Sequence, residues 1–186
     1  MSIPKIIHYC WFGDGPISPE SRKCMESWKK YCPDYKIMAW NEQNFDISAN
    51  RYAQQAYAAK KYAFVSDYVR LAVLYEYGGI YLDTDVELVR PLDELLEYKG
   101  FIGMEHSAPS PYGRTLLVNT GSGVGAEPGC GMIGKMLAAY RNAAFIQETG
   151  EPDLRTCTQR DIPLFTKAGL QQKNEQQELD GFLVLT

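Results

Sequence analysis

Asp83 and Asp85 are separated by one residue and follow directly on the apolar run Ile80-Tyr81-Leu82. If that run is a strand, residues two apart point the same way, and the two carboxylates emerge together where the strand leaves the sheet. Like charges so placed repel unless something positive sits between them. A hard divalent cation, Mn²⁺ or Mg²⁺, meets that need, because it takes oxygen ligands and keeps positions open for water and a substrate's phosphates. An Asp-X-Asp tripeptide taken alone is more often a pair of solvated acids at a turn, so the case rests on its context. Upstream, Ser66, Asp67 and Arg70 are the only polar residues in the first turns of the otherwise apolar segment 64–77. They fall at i, i+1 and i+4, one narrow stripe, and charges in such a helix need a partner or a ligand.

Several elements must position these groups. The segment 64–77 has no wide polar face and predicts a helix buried on most sides. Gly78-Gly79 ends it by supplying positive φ angles, and Ile80-Tyr81-Leu82 restarts the chain as a short strand. At the N-terminus Ile3, Ile6, Ile7, Tyr9 and Trp11 form a compact apolar run, read as a buried first strand, before the Gly-rich turn Phe12–Pro16. Ligands collect beyond the carboxyl ends of such strands. Trp11 is therefore placed either to stack on a nucleobase or to fill the core, and His8 reads as a hydrogen-bonded core residue. Ser18-Pro19 caps a helix running through Tyr31, and Tyr35–Trp40 is a second strand, so strand and helix alternate as in a parallel sheet. Asn41 after that strand either reaches a bound nucleotide or caps a turn.

The motifs Ser66-Asp67-Tyr68-Val69-Arg70 and Tyr77-Gly78-Gly79-Ile80-Tyr81-Leu82-Asp83-Thr84-Asp85 together resemble the sugar-binding region of the DXD glycosyltransferases of family 32. The same pattern recurs in the glucosylating domains of the large clostridial toxins. The resemblance extends to Ile3–Gly13 and to Asn119-Thr120-Gly121. It implies an α/β, GT-A-like fold: a mixed, mostly parallel sheet with a Rossmann-like nucleotide-binding half flanked by helices. It also implies a nucleoside diphosphate sugar donor, UDP-linked by expectation, a Mn²⁺ or Mg²⁺ ion, and retention of anomeric configuration. Carried over residue by residue, Trp11, Ser66, Asp67, Arg70, Tyr81, Asp83 and Asn119 would hold the nucleotide sugar. Asp85 would ligate the metal directly and Asp83 through water, with both carboxylates serving catalysis. In the family a further segment, with a histidine or asparagine and a Ser-X-Trp-like stretch, follows a strand like Phe182–Leu185. It has no counterpart before Thr186, so the expectation is a single domain over 1–186 lacking that lid.

Composition bounds the remaining choices. At 186 residues with a formal charge of −4, the chain fits one domain and has no global attraction for nucleic acid. Cys10, Cys24, Cys32, Cys130 and Cys157 show no C-x-x-C spacing, so reduced thiols are expected rather than zinc or a disulfide framework. No signal sequence or membrane span is apparent, which predicts a cytoplasmic protein, associated peripherally with the inner membrane surface if its acceptor is lipid-linked. Downstream the sequence predicts a helix over 50–61, a strand over Val86–Val89 and a short helix from Pro91. Next come a strand over Gly100–Met104, a loop over 105–115 and a strand over Leu116–Asn119, followed by helices over Gly131–Tyr140 and Asp161–Ala168. A last strand is expected at Gly181–Leu185. The leading reading is transfer of a hexose to a glycan or lipid-linked glycan acceptor in surface polysaccharide synthesis. The alternative is a nucleotide-sugar-binding domain with little catalysis. A phosphotransfer or glycosidase pair fits less well, since an i, i+2 pair is too close for an acid and a nucleophile, which need about 5 Å or more across a sugar ring.

Overall fold

The structure is a computed structural model, and it describes residues 2–106 and 115–186. Its centre is a seven-stranded mixed sheet. In chain order the strands are β1 (Ile6–Cys10), β2 (Lys36–Trp40), β3 (Gly79–Tyr81), β4 (Gly100–His106), β5 (Leu116–Ala126), β6 (Gln177–Leu179) and β7 (Phe182–Leu185). Their spatial order is β2-β1-β3-β5-β4-β7-β6. The α/β, GT-A-like architecture expected from the sequence is borne out. Its pairings divide evenly: β1 runs parallel to β2 and β3, and β4 to β7, while β5 is antiparallel to both β3 and β4 and β6 to β7. The parallel half, β2-β1-β3, brings the carboxyl ends of three strands to one edge, where a ligand has open access.

Side chains alternate along these strands and split the core in two. Ile7, Ile80 and Leu82 point to one face, under α1 (Pro19–Tyr31) and the segment 86–98. Cys10 and Tyr81 point to the other, under α2 (Arg51–Ala58), α3 (Tyr62–Tyr77), α4 (Gly131–Ala138) and α5 (Cys157–Lys167). α3 is the helix buried on most sides: Val65, Val69, Leu71, Val73 and Leu74 are at most 1 % exposed. It stops at Gly78 and Gly79, with φ of 64° and 100°. A Cβ on Gly79 would stand 2.8 Å from the Ile6 carbonyl, so glycine is required both for the turn and for the approach of β1.

His8 is a core residue. Trp40 Nε1 donates to its Nδ1 at 3.0 Å, so its Nε2–H donates to the Gly78 carbonyl at 2.8 Å, and burial lowers its pKa to about 4. Other expectations are corrected. The helix expected over 50–61 ends at Ala58, with Lys60 at φ 56°, and α3 starts afresh at Tyr62. Val86–Val89 is irregular, because its backbone is drawn under α1 by Trp28 Nε1 on the Val86 carbonyl and Ser27 Oγ on the Leu88 N–H. β4 runs through His106, and β5 continues through the glycines to Ala126. Of the loop expected at 105–115, residues 107–114 lie outside the described residues. All five cysteines are free thiols. No helix among the described residues is long and apolar enough to cross a membrane.

Candidate active site

A cleft of about 500 Å³ opens at the carboxyl ends of β1 and β3. Trp11, Phe12, Gly13 and Gly15 form one wall, Tyr62, Ser66 and Arg70 of α3 the second, and Tyr81 and Asp83–Asp85 the third. The first wall is a tied turn. Trp11 Nε1 donates to the Gly15 carbonyl at 2.7 Å, Gly13 N–H to Glu42 Oε1 at 3.0 Å, and a Cβ on Gly13 would run into the Tyr62 ring. The Trp11 ring is thereby fixed at the rim of the cleft, half-buried. Asn41 takes the turn-capping role, its Oδ1 accepting from the Gln43 N–H at 2.9 Å.

Arg70 is the hub. It is 4 % exposed, and its guanidinium serves four partners in a fixed fork. Nη2 lies 3.2 Å from Asp67 and 3.3 Å from Asp83, Nη1 donates to Thr120 Oγ1 at 3.1 Å, and Nε to the Ser66 carbonyl at 3.1 Å. Its guanidinium carbon lies over the Tyr81 ring, 4.7 Å from the ring centre. Tyr81 in turn donates its hydroxyl to Asp83 Oδ1 at 2.8 Å. Burial pushes the Asp67 carboxyl up; Arg70 works against that shift, and Asp83 adds to it. Burial also pushes the Cys10 thiol at the floor up to about 12, so no thiolate nucleophile is offered there.

The acid pair is not presented as a strand would present it. β3 ends at Tyr81, and Asp83 opens a turn closed by the Val86 N–H on the Asp83 carbonyl at 3.0 Å. The two-residue period therefore does not apply, and the two carboxylates differ in kind. Asp83 is clamped through Oδ1, with Gly121 against Oδ2, where any Cβ would overlap it. Asp85 is exposed, and no hydrogen bond or ion pair among the described residues engages it. No group of three or more potential metal ligands occurs among the described residues. A free carboxylate beside a clamped one nevertheless suits a hard cation that draws its remaining ligands from phosphate and water.

Trp11, Ser66, Arg70, Tyr81, Asp83 and Asp85 thus line the cleft, and two expected site residues do not. Asp67 sits behind Arg70. Asn119 donates from Nδ2 to Glu105 Oε2 at 2.7 Å and accepts from the Gly121 N–H at 2.8 Å, so it braces the backbone that abuts Asp83. Thr120, Glu105 and Cys157 were not singled out from sequence as site groups. Cys157 opens α5, and its thiol is turned toward Asp67 and Thr120. That start was legible, because Thr156 and Gln159 form a capping box of the Thr-x-x-Gln type.

Residues 18–102 match the family model described as the glycosyltransferase sugar-binding region containing a DXD motif. Inositol phosphoceramide mannosyltransferase 3 of Schizosaccharomyces pombe is 34% identical over 127 residues, which cover 62% of this chain and 33% of that protein. Inositol phosphoceramide mannosyltransferase 1 of the same yeast is 29% identical over 111 residues, 54% of this chain and 33% of its own length. Mannosyl phosphorylinositol ceramide synthase SUR1 of Saccharomyces cerevisiae is 30% identical over 111 residues, 54% and 27%. The chain spans about a third of the length of these relatives, all of them fungal. Among solved structures, the PaToxG glycosyltransferase superposes with a TM-score of 0.60 at 24% identity, over 90% of this chain and 72% of that one. The stretch that holds Asp67, Arg70, Asp83 and Asp85 therefore matches the sugar-binding region of the DXD glycosyltransferases, and the chain around it takes a glycosyltransferase fold.

Proposed function

We propose that this protein binds a nucleoside diphosphate sugar in the cleft and transfers its hexosyl group, with retention, to a glycan or lipid-linked glycan acceptor. The observation that carries the reading is the asymmetry of the acid pair: Asp83 is clamped by Arg70 and Tyr81, while Asp85 stands free beside it, both facing the space rimmed by Trp11. Trp11 stacks on the base, and Asp83, oriented through Oδ1, presents its remaining lone pairs to ribose or sugar hydroxyls. Asp85, with Asp83 through water, would hold Mn²⁺ or Mg²⁺, which when bound neutralises the charge that develops on the departing diphosphate. Arg70 keeps Asp83 in place.

The donor is a UDP-sugar in this reading. The acceptor belongs to surface polysaccharide synthesis, a bacterial setting that rests on the sequence resemblance. The relatives' names favour a mannosyl group and an inositol-phosphate lipid acceptor as a second reading, placed at a membrane surface. The first reading puts the reaction in the cytoplasm.

Calorimetric titration of UDP with and without Mn²⁺ tests the site. Affinity should rise at least tenfold with the ion, and Asp85→Ala should abolish that increment while leaving metal-free binding in place. Equal affinity with and without Mn²⁺ would remove the metal. Hydrolysis assays over UDP- and GDP-sugars then rank the donors.

A further inference from the structure

Behind Arg70, on the side away from the cleft, lies a second set of charged side chains closed off from solvent. At its centre is Asp161 of α5, 1 % exposed, with neither carboxyl oxygen hydrogen-bonded. An ionised carboxylate buried without a partner is strongly unfavourable, and such a group takes up a proton instead. Cys157 precedes it by four residues and so lies on the same helix face, with its thiol turned toward Asp67 and Thr120. Asp161 is thus one helical turn along from that contact, on the side of α5 that faces Asp67.

The charges around it do not neutralise it. From α3, Asp67 and Arg70 face it; from α5 itself, Cys157 and Arg160; and from the turn after α4, Tyr140. Arg160 commits Nη2 to Asp153 Oδ2 at 2.7 Å and lays its guanidinium carbon over the rings of Tyr52 and Tyr140 at 4.9 and 5.4 Å. Its buried Nε has no hydrogen-bond partner among the described residues, and its charge opposes the rise of the Asp161 carboxyl without bonding it. Arg70 is left to balance Asp67, Asp83 and the field of Asp161. Two buried carboxyls that share one cation do not both ionise near neutrality, and they titrate as a pair. Burial first, and Asp67 second, push the Asp161 carboxyl up to about 7.

We propose that Asp161 is a positioning residue for the nucleotide-sugar site: with Asp67 it forms a buried carboxyl pair that holds one proton, and this pair sets, through Arg70, how Asp83 is presented to the donor. The inference rests on the donor-site reading above. While the proton is held, Arg70 is shared between Asp67 and Asp83. When it is lost, a second charge stands behind Arg70, the guanidinium is drawn toward α5, and Asp83 loosens.

Two measurements on wild type and Asp161→Asn test this. In urea unfolding, a raised folded-state pKa means that the proton's stabilisation is fully present below the unfolded value and is lost as pH rises through about 7. The folding constant of wild type should therefore fall relative to D161N by up to about tenfold per pH unit between pH 5 and 7, then level off. Asp67→Asn, which removes the like charge, should move that midpoint to lower pH. In calorimetry with UDP and Mn²⁺, the ratio of wild-type to D161N affinity should change at least threefold between pH 6 and 8.5. Parallel unfolding profiles would overturn the shared proton, and a constant affinity ratio would overturn the positioning role. Wild type that binds no UDP at any pH overturns the donor reading instead, and the two failures are distinguishable because unfolding needs no nucleotide. If D161N does not fold, the ¹³C carboxyl shift of Asp161 in wild type reads the same proton: a midpoint near 7 supports the pair, and one below 5 overturns it.

Discussion

Replacing Arg70 by methionine keeps a long apolar stem and deletes the charge that four partners use. Two of the lost contacts, to Thr120 Oγ1 and the Ser66 carbonyl, both at 3.1 Å, are worth about 1 kcal/mol each. Asp83, 38% exposed, contributes little to stability through its ion pair. Asp67 decides the outcome, because it is buried and loses its cation. Breaking such a pair from one side costs about 3–5 kcal/mol. The contributions are not additive, since Asp67 limits its own loss by taking up a proton. We expect about 3–5 kcal/mol at pH 8. In the variant the Asp67 pKa rises further, so its penalty shrinks toward acid, by up to about 1.4 kcal/mol per pH unit over the range in which Asp67 titrates. Against a typical total of about 5–15 kcal/mol the variant stays folded, with Tm lower by roughly 6–20 °C. Urea unfolding at pH 5 and pH 8 reads both the size and its pH dependence. The double variant R70M/D67N should regain at least half of the loss. A loss under about 1 kcal/mol at pH 8, or a double variant no more stable than R70M, would refute the buried ion pair.

Three further outcomes follow from single contacts. Gly121→Ala places a Cβ against Asp83 Oδ2 and 3.3 Å from Arg70 Nη1, which forces Asp83 off its clamp. It should cost about 1–3 kcal/mol in unfolding and at least tenfold in UDP affinity, and unaltered affinity would show that the clamp is irrelevant to binding. Asp85→Ala removes an exposed, unpartnered side chain and should change stability by no more than about 0.5 kcal/mol, which differential scanning calorimetry measures. His8 has no free lone pair on Nδ1 while Trp40 donates to it, and its pKa is lowered to about 4. Its stabilisation is present above the unfolded value near 6.5 and is lost as pH falls through about 4, so His8→Gln should flatten acid unfolding over that window in circular dichroism.

What the sequence by itself determined is local. The unbroken apolar character of α3, the stripe of Ser66, Asp67 and Arg70, and the Gly78-Gly79 stop each follow from side-chain chemistry and φ preference within a few residues. The cleft-facing identity of Trp11, Arg70, Tyr81 and Asp83 was legible for the same reason, with the family pattern marking which polar residues to weigh. What only the tertiary structure decided is long-range. The two-residue period joins Asp83 to Asp85 only while the ladder continues, and β3 ends at Tyr81. Whether Asn119 reaches the cleft depends on Glu105 across the β4–β5 pair, and whether Asp67 is a ligand or a brace depends on α5, some ninety residues further along the chain. No propensity carries that information: burial and charge compensation are properties of which elements meet, and only packing brings Thr120, Cys157 and Asp161 around a guanidinium that sequence spacing had already set in place.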